Sequence, residues 1–214
     1  MVRFQTPGKD WVAYTAAIIS AHLPHAFEAR GELVALIFTE PESREGRILR
    51  ERFCTGIAPL APDTFADEAA ALASAYDADA TDEELTARAR AIIASLTLAR
   101  AGQTRPLDKR IERAIEVLRE RIGETVPMAE IADAVHLSPE RFRHLFLEQT
   151  GIRFRPYVLW LRLELAIASY AAGKNLTEAS YAGGFADSAH FSRTFKRMFG
   201  VLAGGISVQR VQRV

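Results

Sequence analysis

The sequence predicts a mainly α-helical protein, in which a small α/β region precedes a C-terminal domain of about seven helices containing a tandem repeat. Three observations predict this class. Apolar residues recur at helical intervals over most of residues 105–214. Two stretches of that half resemble each other, and the other half contains one continuous apolar run of strand length. The 214 residues are 49% hydrophobic and 25% charged, a composition typical of globular proteins.

In residues 1–104 we predict a few strands followed by two helices. Residues 32–39 are apolar almost throughout and are followed by an acidic residue and a proline, which is typical of a buried strand. Residues 65–76 and 82–100 are rich in alanine and have apolar residues at helical intervals. A glycine and a proline bracket the polar stretch at residues 101–106, so we expect a domain boundary near residue 104.

The formal net charge of zero conceals an uneven distribution. Residues 1–104 contain 10 basic and 15 acidic side chains, whereas residues 105–214 contain 17 basic and 12 acidic ones. A basic half joined to an acidic half indicates a polyanionic partner for the basic half.

No stretch approaches the roughly 18 uninterrupted apolar residues of a membrane span. The first five residues are not followed by the apolar stretch of a signal peptide. We therefore expect a cytoplasmic protein with no membrane partner.

The repeat lies at about residues 127–151 and about residues 175–200, and an apolar helix at about residues 156–172 joins the two copies. An amphipathic helix at residues 107–122 precedes the first copy. The offset between the copies is 48 residues as far as a central turn and 49 residues after it, as shown by the pairs Glu130 with Glu178 and Phe146 with Phe195. Such a repeat predicts two copies of one supersecondary unit.

Each copy contains what a helix-turn-helix unit requires. A short helix leads to a turn with an apolar side chain, Leu137 or Phe185, which locks the angle between the two helices. Ser138 and Asp187 then stand at the N-cap of the second helix, where they can accept hydrogen bonds from its free amides. Asn175 with Glu178 is expected to form a capping box, and Gly151 and Gly200 to end the second helices in left-handed conformation.

The phenylalanine stripe of each second helix must face the core, so the opposite face is free to meet a ligand. That face contains side chains that can bond to base edges in the major groove of DNA. The predicted base-reading residues are Glu140, Arg143 and His144 in the first copy and Ser188, Ala189, Ser192 and Arg193 in the second. The predicted phosphate contacts, which set affinity and register, are Arg153, Arg155, Arg162, Lys196 and Arg197. Two copies would place their second helices about 34 Å apart, on successive major-groove turns.

These residues resemble the DNA-binding domain of the AraC/XylS regulators. The resemblance covers roughly residues 107–201 and is carried by the segments LSPERF at 137–142, YVLWLRL at 157–163 and GFADSAHFSRTFKRMFG at 184–200. It implies a sequence-specific transcription regulator that binds double-stranded promoter DNA and contacts RNA polymerase as an activator, or occasionally blocks it as a repressor. It implies no cofactor.

The sequence departs from the family pattern at two places. Residues 201–207 replace the Ser/Thr-Pro turn and aromatic-Arg pair that commonly follow the final Phe-Gly, which puts the closing helix in question. Gly183 stands where the family usually has alanine, and a glycine inside a helix costs about 1 kcal/mol relative to alanine. We expect the second unit to be less stable than the first.

The N-terminal half resembles the end of the cupin-like sensor barrel of some AraC-type regulators, in residues 23–27 and 41–47 and in the intervening run. The sixty or so residues before the helices are too few for a closed barrel, so we expect a reduced sensor and dimerisation region. His22 and His25 lack a third ligand at a recognisable spacing, and Cys54 is the only cysteine. We predict no metal site and a partly buried, structural Cys54.

Two other classes of function stay open beside the regulator. The truncated sensor and altered C-terminus suit a protein that inhibits related regulators by hetero-oligomerisation, with residues 65–100 as the contact. A cupin-type metal-binding enzyme would have to depend on His22 and His25, and no phosphate loop, nucleophile elbow or pair of catalytic carboxylates accompanies them. We expect no catalytic residue. A homodimer is possible, and the effector molecule is unknown.

Overall fold

The structure is a computed structural model that describes residues 1–21, 23–53, 55–100 and 105–200. It is mainly helical, with small antiparallel sheets at the N-terminus, which confirms the predicted fold class. The chain divides into two compact units. The first comprises Met1–Thr104 and the chain from Phe195 onward, and the second comprises Arg105–Thr194. No helix among the described residues combines the length and apolarity that a membrane span needs.

The first unit begins with five short antiparallel strands. Strand β1 (Val2–Gln5) lies between β2 (Val12–Tyr14) and β4 (Ala26–Glu28), and β3 (Ala17–Ile19) pairs with β5 (Ile57–Pro59). The buried ring of Phe4 contacts the rings of Tyr14, His25 and Phe27 at centroid distances of 5.8, 5.8 and 5.1 Å. These contacts give the three-stranded sheet its apolar face.

Three α-helices lie within the described residues of 1–104: α1 (Arg44–Arg52), α2 (Ala66–Asp77) and α3 (Asp82–Thr97). Helices α2 and α3 are the two helices predicted at residues 65–76 and 82–100. The buried side chains of the helical core are Leu49, Phe65, Ile92 and Leu96, and Ile18 of β3 packs against them. This core therefore joins the helices to the two-stranded sheet.

The strand predicted at residues 32–39 is wrong. The segment pairs with none of the described strands, and Leu33 and Phe38 expose 64% and 50% of their surface. The apolar pattern of this segment does not tell whether another strand is available to pair with it. The strands nearest to it in sequence, β4 and β5, are three residues long and pair with β1 and β3 instead. The segment leads instead into α1, whose N-cap Ser43 accepts a hydrogen bond from Gly46 N at 3.0 Å.

The second unit consists of helices, and the last described helix of the chain begins in it. Their bounds are α4 (Lys109–Glu120), α5 (Met128–Ala134), α6 (Pro139–Thr150), α7 (Phe154–Ala171), α8 (Leu176–Ala182) and α9 (Ser188–Phe199). These are the six helices predicted between residues 107 and 200. The seventh helix expected after Gly200 lies outside the described residues, as do the linker at 101–104, His22 and Cys54.

The core of the second unit is built around α7. Tyr157 of α7 is fully buried, and its ring centroid lies 5.1 Å from that of Phe146 of α6. Phe154 lies 5.7 Å from Phe142 by the same measure. Leu163 of α7 is also fully buried. The helix predicted to join the two copies thus buries one apolar face, with Phe154, Tyr157, Leu161, Leu163 and Ala166 as its buried residues.

Candidate nucleic-acid interface

The two predicted turns have the same backbone geometry. The amide of Leu137 donates to the carbonyl of Ala132 at 2.9 Å, and the amide of Phe185 donates to that of Ser180 at 3.0 Å. The residue before each apolar side chain is left-handed, with φ of 55° at His136 and 72° at Gly184. Because hydrogen bonds and φ agree at an offset of 48 residues, the sequence repeat is a structural repeat.

The predicted caps are confirmed. Ser138 Oγ accepts from Arg141 N at 3.3 Å, and Asp187 Oδ1 accepts from His190 N at 2.5 Å. Asn175 and Glu178 form the expected capping box at the start of α8. Gly151 and Gly200, with φ of 73° and 75°, follow the last residues of α6 and α9.

Ala186 accounts for the change of offset from 48 to 49 residues. It lies between Phe185 and the N-cap Asp187, whereas Leu137 is followed directly by the N-cap Ser138. After this insertion the helices agree again, since Phe142 and Phe191 are 0% and 2% exposed. The opposite faces of α6 and α9 therefore occupy equivalent positions in the two copies.

Helix α6 presents the three base-reading residues predicted for the first copy, and they are bonded to one another. Arg143 donates to Glu140 through Nε at 3.2 Å and through Nη2 at 2.6 Å, and His144 Nε2 lies 2.7 Å from Glu140 Oε1. All three side chains are exposed, Glu140 to 69% and Arg143 to 52%. The bond from Arg143, and then that from His144, lowers the pKa of Glu140 to about 2.

Helix α9 presents a different surface. Its exposed side chains include Ala189, Arg193, Lys196 and Arg197, and Ser188 and Ser192 are half-buried. Within the part of the chain that the structure describes, the three cations among these have no hydrogen bond or ion pair. A face with positive charge and no acidic partner suits the phosphates and base edges of a nucleic acid.

The remaining predicted phosphate contacts lie on α7 and do not share one environment. Arg153, at the N-cap, and Arg155 are exposed. Arg162 is half-buried and its Nη2 donates to the carbonyl of Glu124 at 2.8 Å. The guanidinium of Arg162 therefore binds the loop between α4 and α5 through Nη2, and its phosphate contact stays a prediction.

A second arginine that sequence reasoning missed binds at the same loop. Arg121 donates to Glu124 Oε2 and to Glu130 Oε2, both at 3.0 Å, and so ties the end of α4 to α5. The spacing of Arg121 and Glu124 by three residues was a visible signal for the first bond. No local signal indicated the bonds to Glu130 or from Arg162 to Glu124.

Gly183, which was expected to lower the stability of its helix, instead allows two helices to pack closely. It is the C-cap of α8, and a Cβ there would lie 2.5 Å from the carbonyl oxygen of Arg162 and 2.8 Å from Cβ of Ala166. The absence of a side chain is thus what lets α8 approach α7 so closely. The alanine usual in the family would require the two helices to separate.

Among the described residues, no group of three histidine, cysteine, aspartate or glutamate side chains is arranged to hold a metal ion. His25 Nδ1 lies 2.8 Å from the carbonyl of Leu23, and its ring packs on Phe4.

Comparison with known proteins gives one family match, to a helix-turn-helix domain over residues 131–206. The uncharacterized HTH-type transcriptional regulator YidL of Escherichia coli is 33% identical over 100 residues, which are 46% of this chain and 34% of that protein. The probable transcriptional regulator LumQ of Photobacterium leiognathi is 31% identical over 100 residues, 44% of this chain and 40% of that one. This chain therefore matches less than half the length of either relative.

A solved structure of a transcriptional regulator described as AraC-type DNA-binding domain-containing, from Chromobacterium violaceum, is 26% identical. It matches 44% of this chain and 85% of its own, with a TM-score of 0.42.

Replacing Gly183 with alanine should destabilise the protein. The added methyl overlaps the Arg162 carbonyl, and overpacking of this kind costs about 1–3 kcal/mol. Urea unfolding followed by circular dichroism measures the change. Gly123→Ala is the matched control, because a Cβ at Gly123 meets nothing within 4 Å. Equal stability of the two variants would contradict the close approach.

Replacing His136 with glycine should stabilise the protein by about 0.5–1 kcal/mol. The left-handed conformation at φ 55° costs an ordinary side chain about 1 kcal/mol and costs glycine nothing, although glycine loses part of this gain to the entropy of the unfolded chain. The neighbouring Ala134→Gly variant, at the helical end of α5, should lose about 1 kcal/mol in the same assay. A loss of stability in both variants would show that His136 is not strained.

Proposed function

We propose that the protein is a sequence-specific, DNA-binding transcription regulator of the AraC type, and the match of residues 131–206 to a helix-turn-helix domain supports this. The observation that carries the proposal is the pair of turns with matching hydrogen bonds and left-handed residues, each followed by a helix with an exposed polar face. A helix-turn-helix unit uses this second helix to enter the major groove.

In this function the two helices share the reading of one site. Helix α6 contacts base edges with Arg143 and its neighbours, and α9 does so with Arg193, Ser188, Ala189 and Ser192. The two blocks of the site lie about 34 Å apart, on successive turns of one duplex. A single chain then reads an asymmetric site, without the second subunit that a protein with one such unit requires.

The cations outside the reading positions supply affinity. Arg153, Arg155, Lys196 and Arg197 are exposed and suit phosphates, which fix the register on the duplex without specifying sequence. Both curated relatives are named as transcriptional regulators. These names support a role in transcription regulation, whereas activation through contact with RNA polymerase is proposed on the resemblance to the AraC/XylS regulators alone.

The first test selects bound sequences from a pool of random duplex DNA. The unaltered protein should retain a site with two conserved blocks about one helical turn apart. Arg193→Ala should lose the preference at one block and keep the other, because Arg193 belongs to α9 alone.

Arg90→Ala is the control, since it removes the same charge from an exposed position on α3. It should leave both blocks unchanged. Weak retention that enriches no sequence would refute the proposal and favour inhibition of related regulators by hetero-oligomerisation.

The phosphate contacts predict a change in salt dependence. Lys196→Ala and Arg197→Ala should each weaken binding to all duplexes alike, and each should reduce the magnitude of the negative slope of log K against log salt by about 0.9. Titrations of one specific and one scrambled duplex at four salt concentrations measure both quantities. A variant that loses preference for particular bases, with an unchanged slope, would show that its cation reads bases instead.

A further inference from the structure

Glu140 uses both of its carboxylate oxygens within its own helix. Oε2 accepts from Nε of Arg143 and Oε1 accepts from Nη2 of the same guanidinium, at 3.2 and 2.6 Å. His144 Nε2 approaches Oε1 at 2.7 Å. These donors take three of the roughly four acceptor positions of the carboxylate, which leaves Glu140 one position on Oε2 for a cytosine amino group.

The same bonds leave Nη1 of the Arg143 guanidinium without a hydrogen bond among the described residues. A guanidinium carries five N–H donors, and the carboxylate takes those at Nε and on one side of Nη2. His144 Nε2 also lies 3.0 Å from Nη2. The edge formed by Nη1 and Nη2 can bond to O6 and N7 of guanine once His144 moves away from Nη2. The carboxylate therefore holds the arginine by one edge while the other edge can face the groove.

We propose that Glu140 is a positioning residue, which orients Arg143 for a guanine in the block read by α6 instead of contacting a base. The inference rests on the proposed function and revises the base-reading role predicted for Glu140. An arginine side chain loses substantial rotamer entropy when it is fixed. An arginine whose rotamer is already fixed by an intramolecular bond loses less rotamer entropy when it contacts a base.

The energetics of the pair favour a role in binding. Exposed ion pairs contribute about 0–1 kcal/mol to folding, and this pair is exposed on both sides. With a pKa of about 2, the Glu140 carboxylate stays ionised near neutral pH, so the pair persists under ordinary assay conditions. Variants of Glu140 should accordingly fold as the unaltered protein does.

Helix α9 provides an internal comparison. At the offset of 49 residues, Ala189 corresponds to Glu140 and Arg193 corresponds to His144. Arg193 has a histidine three residues before it and an alanine four residues before it, so its own helix offers no carboxylate at either spacing. An effect of Glu140 should therefore be confined to the block that α6 reads.

The experiment compares full-length Glu140→Ala, Arg143→Ala and the double variant on duplexes in which each base pair of the selected site is varied. Arg143→Ala should lose about tenfold or more discrimination at one base pair. Glu140→Ala should lose about 3- to 10-fold at that same pair. The double variant should lose no more than Arg143→Ala, because positioning has no value without the arginine.

Two controls separate positioning from a general effect on folding. Glu140→Gln keeps an acceptor for Arg143 and should recover part of the discrimination, and circular dichroism should show all variants folded. The block read by α9 should be unchanged throughout.

Loss of discrimination at a different base pair from that of Arg143→Ala, with additive losses in the double variant, would show that Glu140 reads a base and overturn the inference. Unchanged discrimination in Glu140→Ala would overturn it as well. Failure of the unaltered protein to select any sequence would instead refute the proposed function.

Discussion

The contact on which the C-terminal domain depends is the close approach of α8 to α7 at Gly183. A Cβ at this position would overlap the carbonyl oxygen of Arg162. The next residue, Gly184, is left-handed and lies against the side chain of Arg162, and that side chain donates to Glu124 in the loop between α4 and α5. The side chain of Arg162 therefore binds the loop that precedes the first copy, and the turn of the second copy packs against the same side chain.

This contact changes the meaning of two sequence features. Arg162 is predicted as a phosphate contact because it is basic, and in the structure its guanidinium binds a loop of its own domain. Gly183 looked like a local loss of helix stability, yet a small residue is required where the two helices meet. Both features depend on residues that are distant in sequence, whereas helical propensity describes only neighbours along the chain.

The features predicted correctly from the sequence are those that depend on residues close together in the chain. The helices between residues 107 and 200 follow from apolar spacing, and their ends follow from caps such as Ser138 and the capping box at Asn175. The apolar run at 32–39 could not be placed, because a strand exists only if another strand pairs with it. The reading faces could be located from the buried phenylalanines, whereas the bonds of Glu140 required the structure, although their three- and four-residue spacings were visible.

In the proposed function, the exposed faces of α6 and α9 contribute differently to recognition. In α6, Arg143 is bonded to the carboxylate of Glu140, so its positive charge is largely compensated and attracts phosphates weakly. The bond instead fixes the orientation of the guanidinium. Helix α9 has cations with no described partner, so it can attract any duplex over a distance set by salt. Repetition of the fold is thus compatible with a division of function, because the exposed residues can change while the buried phenylalanines and the turns stay the same.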